Sequence, residues 1–372
     1  MKFESKKGSL LEAIQLAQNA IPSKTTLQVL NNFLLKLEGN SLEITATDLD
    51  LSIILKIEVE GSQDGSIVVN AKKLLEVVRE LPDLPVFCSV DEYVFTIKSG
   101  KSFQCNITGF DASEYPAMPE ESREEPIQME IKDLKFLYEK SSFAVSADYT
   151  TRISLTGMSW ECNDNKLIMV GTDGHKLGKA WIESKKINLK KGIILPPRAI
   201  NQVLKTMPDN DSVFQIEVGE ANIKFHCEDV TIYSKLIEGP YPDYEKVIPK
   251  ELSRTISINR EDLISVLRRV ATMAHFKTRQ VKFSFEEGTL LLSARNQDLG
   301  GDSEETLPVK YQGKPTSIGY NGTYVLEVLR LINSEEVSIK FNTNLGATIF
   351  EPDQEDSNYF FIIMPLRLLE DE

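Results

Sequence analysis

The sequence predicts an α+β protein built from three copies of one domain, each running strand, helix, strands, helix, strands. Three observations carry this prediction. The chain has 372 residues, which favours two or three domains over a single hydrophobic core. Three helical segments with the same flanks recur about 125 residues apart. Short marks outside those helices recur at nearly the same offset, which makes the repeat domain-sized rather than a solenoid. The units are expected at 1–125, 126–250 and 251–372.

Each unit opens on a short alternating strand, at Lys2–Ser5, Gln128–Ile131 and Thr255–Ile258. A helix follows near Gly8–Ala20, Lys132–Ser142 and Arg260–Met273. Period-2 strands come next, as in Ser41–Ala46 and Ala221–His226, punctuated by Asn40, Gly61, Gly100 and Gly288. The second helix lies within Val69–Leu81, Leu195–Met207 and Tyr320–Ile332. Superposed, these three share an apolar pair at Val77/Val78, Val203/Leu204 and Val328/Leu329. They then share a base at Arg79, Lys205 and Arg330, and an apolar residue at Leu81, Met207 and Ile332. Tyr115-Pro116 returns as Tyr241-Pro242, and Thr47-Asp48 returns as Thr172-Asp173.

The net charge of −14 argues by itself against binding a line of phosphates, but it does not say where the charges sit. The six helical segments (8–21, 71–81, 132–142, 197–207, 259–269, 322–333) together carry +4, which leaves −18 for the strands and loops. Helices on a basic surface and sheets on an acidic one would attract a polyanion to one face and repel it from the other. The same split also arises if helices simply carry Lys and Arg on solvated faces.

The four cysteines, Cys88, Cys105, Cys162 and Cys227, form no C-x-x-C pair and are expected to be four buried free thiols. His175, His226 and His275 have no zinc-site spacing. No apolar run reaches the roughly 18–20 residues of a membrane span, and the opening Met1–Ser5 lacks a signal-peptide core, so a cytoplasmic location without membrane contact is expected. Asp173 and His175 could serve as acid and base or bind a metal. The sequence holds no supporting carboxylate or cysteine cluster, no G-x-x-x-x-G-K-[ST] loop and no G-x-S-x-G elbow. The simpler reading makes Asp173-Gly174 a turn with His175 lining a groove. No enzyme activity and no cofactor are therefore expected.

Gly171-Thr-Asp-Gly-His-Lys-Leu177 resembles the T-D-G-H-R-L signature of the bacterial DNA sliding clamps, the beta subunits of DNA polymerase III. Ile21–Leu35, Pro240–Pro249 and Met364–Leu368 resemble the same family. The resemblance implies three DNA-clamp domains per chain, two chains closed head to tail into a ring, helices lining the hole and antiparallel sheets outside. It implies a processivity factor that encircles double-stranded DNA and slides without reading bases. The implied partners are a second copy of the chain, the replicative polymerase alpha subunit, a clamp loader and other clamp-motif replication and repair proteins. The alternative is an acidic scaffold that binds only proteins.

On that resemblance Lys24, Lys73 and Arg198 are expected on the lining, with Tyr149 and Arg152 near a DNA-contacting loop. Ile153 and Ser154 stand in that loop where aromatic residues occur in some clamps, so stacking there would be weaker. The repeat register adds Arg79, Lys205 and Arg330. A peptide pocket is implied at Leu155, Thr172, Gly174, His175, Lys176 and Leu177. It would continue through Pro242, Lys246 and Val247, and then through Ile362, Ile363, Met364, Pro365, Leu366 and Arg367. Met364 suits such a pocket because a flexible thioether repacks around different peptides, although the residues alone read it as a core methionine. Lys176 and Lys246 stand where arginine is common, so hydrogen bonding at the rim should differ. The dimer contact is expected at an edge strand containing Phe103, Cys105 and Ile107 and at the helix end Thr272-Met273. Leu369–Glu372 would be a solvated tail or lie near the pocket.

Overall fold

The computed structural model describes residues 1–119, 126–183, 189, 191–207, 212–296, 298 and 300–368, so Leu369–Glu372 lie outside the described residues. Among these are six α-helices: α1 Lys7–Ala17, α2 Ala71–Glu80, α3 Ile131–Ser141, α4 Pro197–Thr206, α5 Arg260–Val270 and α6 Gly322–Leu331. All six fall where the repeat predicts them. The first helix of each repeat ends in a 3₁₀ turn, at Gln18–Ala20, Ser142–Ala144 and Ala271–Met273.

The helices form for local reasons. Asn70, Asn259 and Asn321 precede α2, α5 and α6, and their side-chain oxygens accept from Lys73, Asp262 and Thr323 N–H at 3.0, 3.1 and 3.0 Å. In α2, Leu74, Leu75 and Val78 are buried while Lys72, Lys73, Glu76 and Arg79 are exposed, the stripe a surface helix needs. The far end of the second helix is capped by a base from the first. Lys7 donates to the Leu81 carbonyl, and Arg260 donates to the Ile332 carbonyl at 3.0 Å.

The chain divides into two compact units, Met1–Leu134 with Arg198–Leu236, and Lys135–Pro197 with Ile237–Glu372. The first contains a five-stranded and an eight-stranded sheet, the second an eight-stranded and a four-stranded one. All the strand pairs are antiparallel. In each eight-stranded sheet two repeats join edge to edge. Leu51–Glu58 pairs with Val230–Lys235 in the first unit, and Lys176–Glu183 pairs with Tyr359–Ile363 in the second. Because side chains alternate along each junction strand, one face turns to the helices and is mostly apolar, with Ser234 and Lys176 as buried polar exceptions. Ile53 and Ile232, directly opposed across the first junction, are both fully buried.

Two glycines let α3 lie on its sheet. A Cβ on Gly171 would stand 2.1 Å from the Ser141 carbonyl oxygen, and one on Gly178 would stand 2.2 Å from that of Lys140. Lys140 itself is 2% exposed. Its ammonium donates to the Leu331 carbonyl and lies 4.6 Å from the Tyr359 ring centre. Burial lowers its pKa from the lysine value of 10.5. The folded state therefore binds fewer protons there than the unfolded chain between the lowered pKa and 10.5. Stability should consequently rise as pH climbs through that window. Unfolding by denaturant at increasing pH up to 10.5 should show the unaltered protein gaining stability relative to Lys140→Met.

The cysteines correct one expectation. All four are thiols outside any disulfide, but only Cys88 and Cys227 are buried, whereas Cys105 and Cys162 are half-buried. Cys105 lies on Phe103–Thr108, an end strand of the five-stranded sheet with no further strand beside it among the described residues.

Candidate functional site

A tight turn between Lys166–Thr172 and Lys176–Glu183 builds the site. Asp173 accepts from the N–H groups of His175 and Lys176 at 2.8 and 2.9 Å, and Thr172 Oγ1 accepts from Gly174 N–H at 3.1 Å. Gly174 has φ +88, a left-handed angle that a glycine adopts without strain. The turn thus uses Asp173 as a structural acceptor and leaves His175 exposed at the mouth. No group of three or more His, Cys, Asp or Glu among the described residues is placed to hold a metal ion.

Behind the turn lies a cleft of about 200 Å³. Its floor is Leu177 and Ile362, which face each other across the strand junction and are 2% and 1% exposed. Leu155, Val247 and Met364 form apolar walls, and Thr172, Gly174, His175, Lys176 and Pro242 complete the expected part of the lining. The floor continues into a cluster with Ile168, Val170, Tyr244 and Ile349. Such an apolar cleft with few polar groups suits an apolar anchor from a partner.

Five expected pocket residues do not line it, and each departure has a physical reason. Ile363 follows Ile362 on the same strand and points to the opposite face, where it is fully buried. Leu366 is bridged to Gly319, which turns Pro365, Leu366 and Arg367 away along another strand; the Arg367 carbonyl accepts from Gln280 there. Lys246 is 81% exposed and pairs with Asp243 at 3.0 Å beside the cleft. Lys176 lines the cleft, but its ammonium is not at the rim as expected. That group is buried against Glu327 at 2.7 Å and lies 4.7 Å from the Tyr324 ring centre.

Asp243, Tyr244 and Arg152 line the cleft without having been expected there. Tyr244 is held by a hydrogen bond to Glu161, and Lys179 pairs with Glu245 at 2.5 Å under the same ring. Burial, then the Glu161 carboxylate, push the Tyr244 phenol far above its usual range, so it stays a neutral donor. Its place inside Pro240–Pro249 was visible in the sequence, but its direction was not.

The loop before Leu155 carries Tyr149 and Ile153, 70% and 58% exposed, with Ser154 half-buried. Asp148 organises it, accepting from Thr150 N–H at 2.8 Å and from the Thr151 hydroxyl at 2.6 Å. The hydroxyls of Thr150 and Thr151, followed by the Thr150 N–H, hold the Asp148 carboxyl down to about 2. Its contribution is present above the ordinary value of 3.8 and is lost as pH falls towards 2. Asp148→Asn should speed amide exchange at Thr150 and Thr151 at pH 7 while leaving the strand amides of Lys176–Glu183 unchanged.

The basic candidates are exposed. Lys24 lies between two 3₁₀ turns, Lys73 is on α2, and Arg79, Lys205 and Arg330 recur in the last turns of α2, α4 and α6. Two are already paired. Lys73 meets Glu76 at 2.9 Å, and Arg198 meets Asp48. Phe103, 41% exposed, and half-buried Cys105 and Ile107 lie on the open edge strand. Thr272 and Met273 sit in the 3₁₀ turn after α5, where a Cβ on Gly301 would lie 2.4 Å from Met273 Cε. Gly301–Pro308, which the sequence reading did not single out, is the open edge of the four-stranded sheet.

Three family models match the chain in succession. The N-terminal domain of the DNA polymerase III beta subunit matches residues 1–119, its central domain 128–243 and its C-terminal domain 245–367. A beta sliding clamp of Pseudomonas putida is 31% identical over 375 residues, covering 99% of this chain and all of the relative. One from Vibrio cholerae is 29% identical over 370 residues with the same coverage. Among solved structures, the Pseudomonas aeruginosa DNA polymerase III subunit beta is similar with TM-score 0.93 and 28% identity. The Bacillus subtilis DNA polymerase sliding clamp is similar with TM-score 0.92 and 26% identity. Each of the two aligns with 99% of this chain and 100% of the other.

Proposed function

Because the chain belongs to the DNA polymerase III beta subunit family, we propose that it closes with a second copy, head to tail, into a ring that slides on duplex DNA and tethers its partners through the apolar cleft. It has the three-domain α+β clamp fold of that family and is a processivity factor of DNA replication, not an enzyme. The domains are read as 1–125, 126–250 and 251–372. The observation that carries the reading is the succession of N-terminal, central and C-terminal family models along one chain.

Affinity for DNA without sequence preference calls for Lys and Arg against phosphates. Exposed Lys24, Arg79, Lys205 and Arg330 supply such groups, and Lys73 and Arg198 add two whose acidic partners must share them with phosphate. Tyr149, Arg152, Ile153 and Ser154 form a loop that reaches from the cleft towards DNA. The open edges Phe103–Thr108 and Gly301–Pro308 would pair between copies, removing unpaired backbone groups from both. The cleft would take apolar anchors of the replicative polymerase alpha subunit, the clamp loader and other clamp-motif proteins in the cytoplasm. No helix among the described residues is long and apolar enough to cross a membrane.

The test is topological. After loading by a clamp loader with ATP, the protein should stay on closed circular duplex through gel filtration and leave once the circle is cut. Equal retention on both forms would sink the ring. The net charge of −14 favours the second reading, an acidic scaffold that binds only proteins, which predicts no retention on either form.

A further inference from the structure

The turn that shapes the cleft has a sister in the same chain. Thr47–Leu51 lies 125 residues before Thr172–Lys176, and the two agree hydrogen bond by hydrogen bond. Thr47 Oγ1 accepts from Leu49 N–H at 3.0 Å and donates to the Leu51 carbonyl at 3.3 Å. Thr172 Oγ1 accepts from Gly174 N–H at 3.1 Å and donates to the Lys176 carbonyl at 2.8 Å. Asp48 accepts from Asp50 and Leu51 N–H at 3.0 and 2.8 Å, as Asp173 does from His175 and Lys176.

The agreement continues past the turn. Leu51 pairs with Ser234 across one strand junction, and Lys176 pairs with Ile363 across the other. The next residue returns its N–H in both, Lys235 to the Asp50 carbonyl and Met364 to the His175 carbonyl, each at 2.8 Å. Tyr115 and Tyr241 tie to the Thr45 and Val170 carbonyls at 3.3 and 3.1 Å. Even the backbone angle at the apex is shared, with φ +78 at Leu49 and +88 at Gly174.

What differs is the side chains this common frame presents. Leu49 stands for Gly174, Asp50 for His175 and Lys235 for Met364. Ser52 replaces the floor residue Leu177 and hydrogen-bonds Thr47 at 2.7 Å. A Cβ on Gly174 would meet nothing within 4 Å, so the cleft mouth is open where the sister carries a leucine. Asp50 and Lys235 pair at 3.0 Å and are 76% and 56% exposed. An exposed pair of this kind contributes little by itself. Its effect falls on a ligand, because an apolar anchor landing there would strip water from both charges.

We propose that the Thr47–Leu51 junction is a closed copy of the cleft, and that Gly174 and Met364, against Leu49 and Lys235, decide which of the two takes an apolar peptide. The proposal rests on reading the cleft as a peptide site. It is tested on the full chain with a fluorescein-labelled synthetic peptide carrying adjacent leucine and phenylalanine anchors. The unaltered protein should bind one peptide per chain. Gly174→Leu should weaken binding at least tenfold, and its thermal midpoint should fall no further than that of Gly174→Ala, since Leu49 shows that this frame accepts leucine at this angle. Gly174→Ala carries the same backbone strain without the bulk and should lose at least fivefold less. Equal losses for alanine and leucine would overturn the proposal. The variant L49G/D50H/K235M should gain a second, weaker event per chain, and a single event from the folded variant would also overturn it. No binding by the unaltered protein would overturn the reading of the cleft and the proposal with it.

Discussion

Phe103→Asp should sediment at the 41.9 kDa of one chain, and the unaltered protein should sediment at twice that mass. Phe103 is 41% exposed at the open edge of the five-stranded sheet, so a polar replacement removes little from the isolated fold. In the dimer it would lie against the partner's edge strand. An unpaired carboxylate buried there costs about 3–5 kcal/mol, more than a hundredfold in affinity. The substitution occurs at both interfaces of a two-chain ring, so retention on circular DNA should be lost as well. The far-UV spectrum and thermal midpoint of the variant should match those of the unaltered protein. A variant that still sediments at twice the chain mass would remove this edge from the interface.

Val247→Asp should leave the ring intact and weaken partner capture about thirtyfold. Val247 is 44% exposed at the lip of the cleft, in a 3₁₀ turn, so the fold does not depend on its side chain. A carboxylate there must lose water when an apolar anchor arrives over Leu177 and Ile362. A penalty of about 2 kcal/mol, roughly thirtyfold in Kd, is expected. Lys246→Ala next to it should change Kd by no more than about fivefold, because an exposed pair such as Lys246–Asp243 contributes at most about 1 kcal/mol. Fluorescence anisotropy with a clamp-motif peptide measures both. A larger effect at Lys246 than at Val247 would move the binding site off the apolar floor.

The two variants separate the surfaces that the proposed function joins. Phe103→Asp should fail on circular DNA and still bind peptide. Val247→Asp should remain on the circle and tether a polymerase about thirtyfold more weakly. A scaffold without DNA topology would lose function only with the second.

Much of this was legible in the residues. The helices α1 to α6 were legible because an apolar stripe at helical period recurs in register, and in α2, α4 and α6 a base follows at one shared position. The turn at Asp173-Gly174 was legible for the same reason. The cleft was readable only in part. Ile362 and Ile363 are equally apolar, and the pleat that turns one to the cleft and the other to the core is fixed by pairing with Lys176–Glu183. Lys176 appeared to be a rim cation because its partner, Glu327, lies 151 residues away and enters only when the strands close.

The sequence by itself therefore determined the threefold repeat, the six helices and the positions of the exposed bases. These follow from periodicity and from neighbours within a few residues. Tertiary structure alone decided which edges stay open, where the Lys176 ammonium goes, and which side chains the recurring Thr47 and Thr172 turns present beside their strand junctions. Those outcomes depend on groups more than a hundred residues apart meeting at a strand junction, and spacing along the chain carries no record of such meetings.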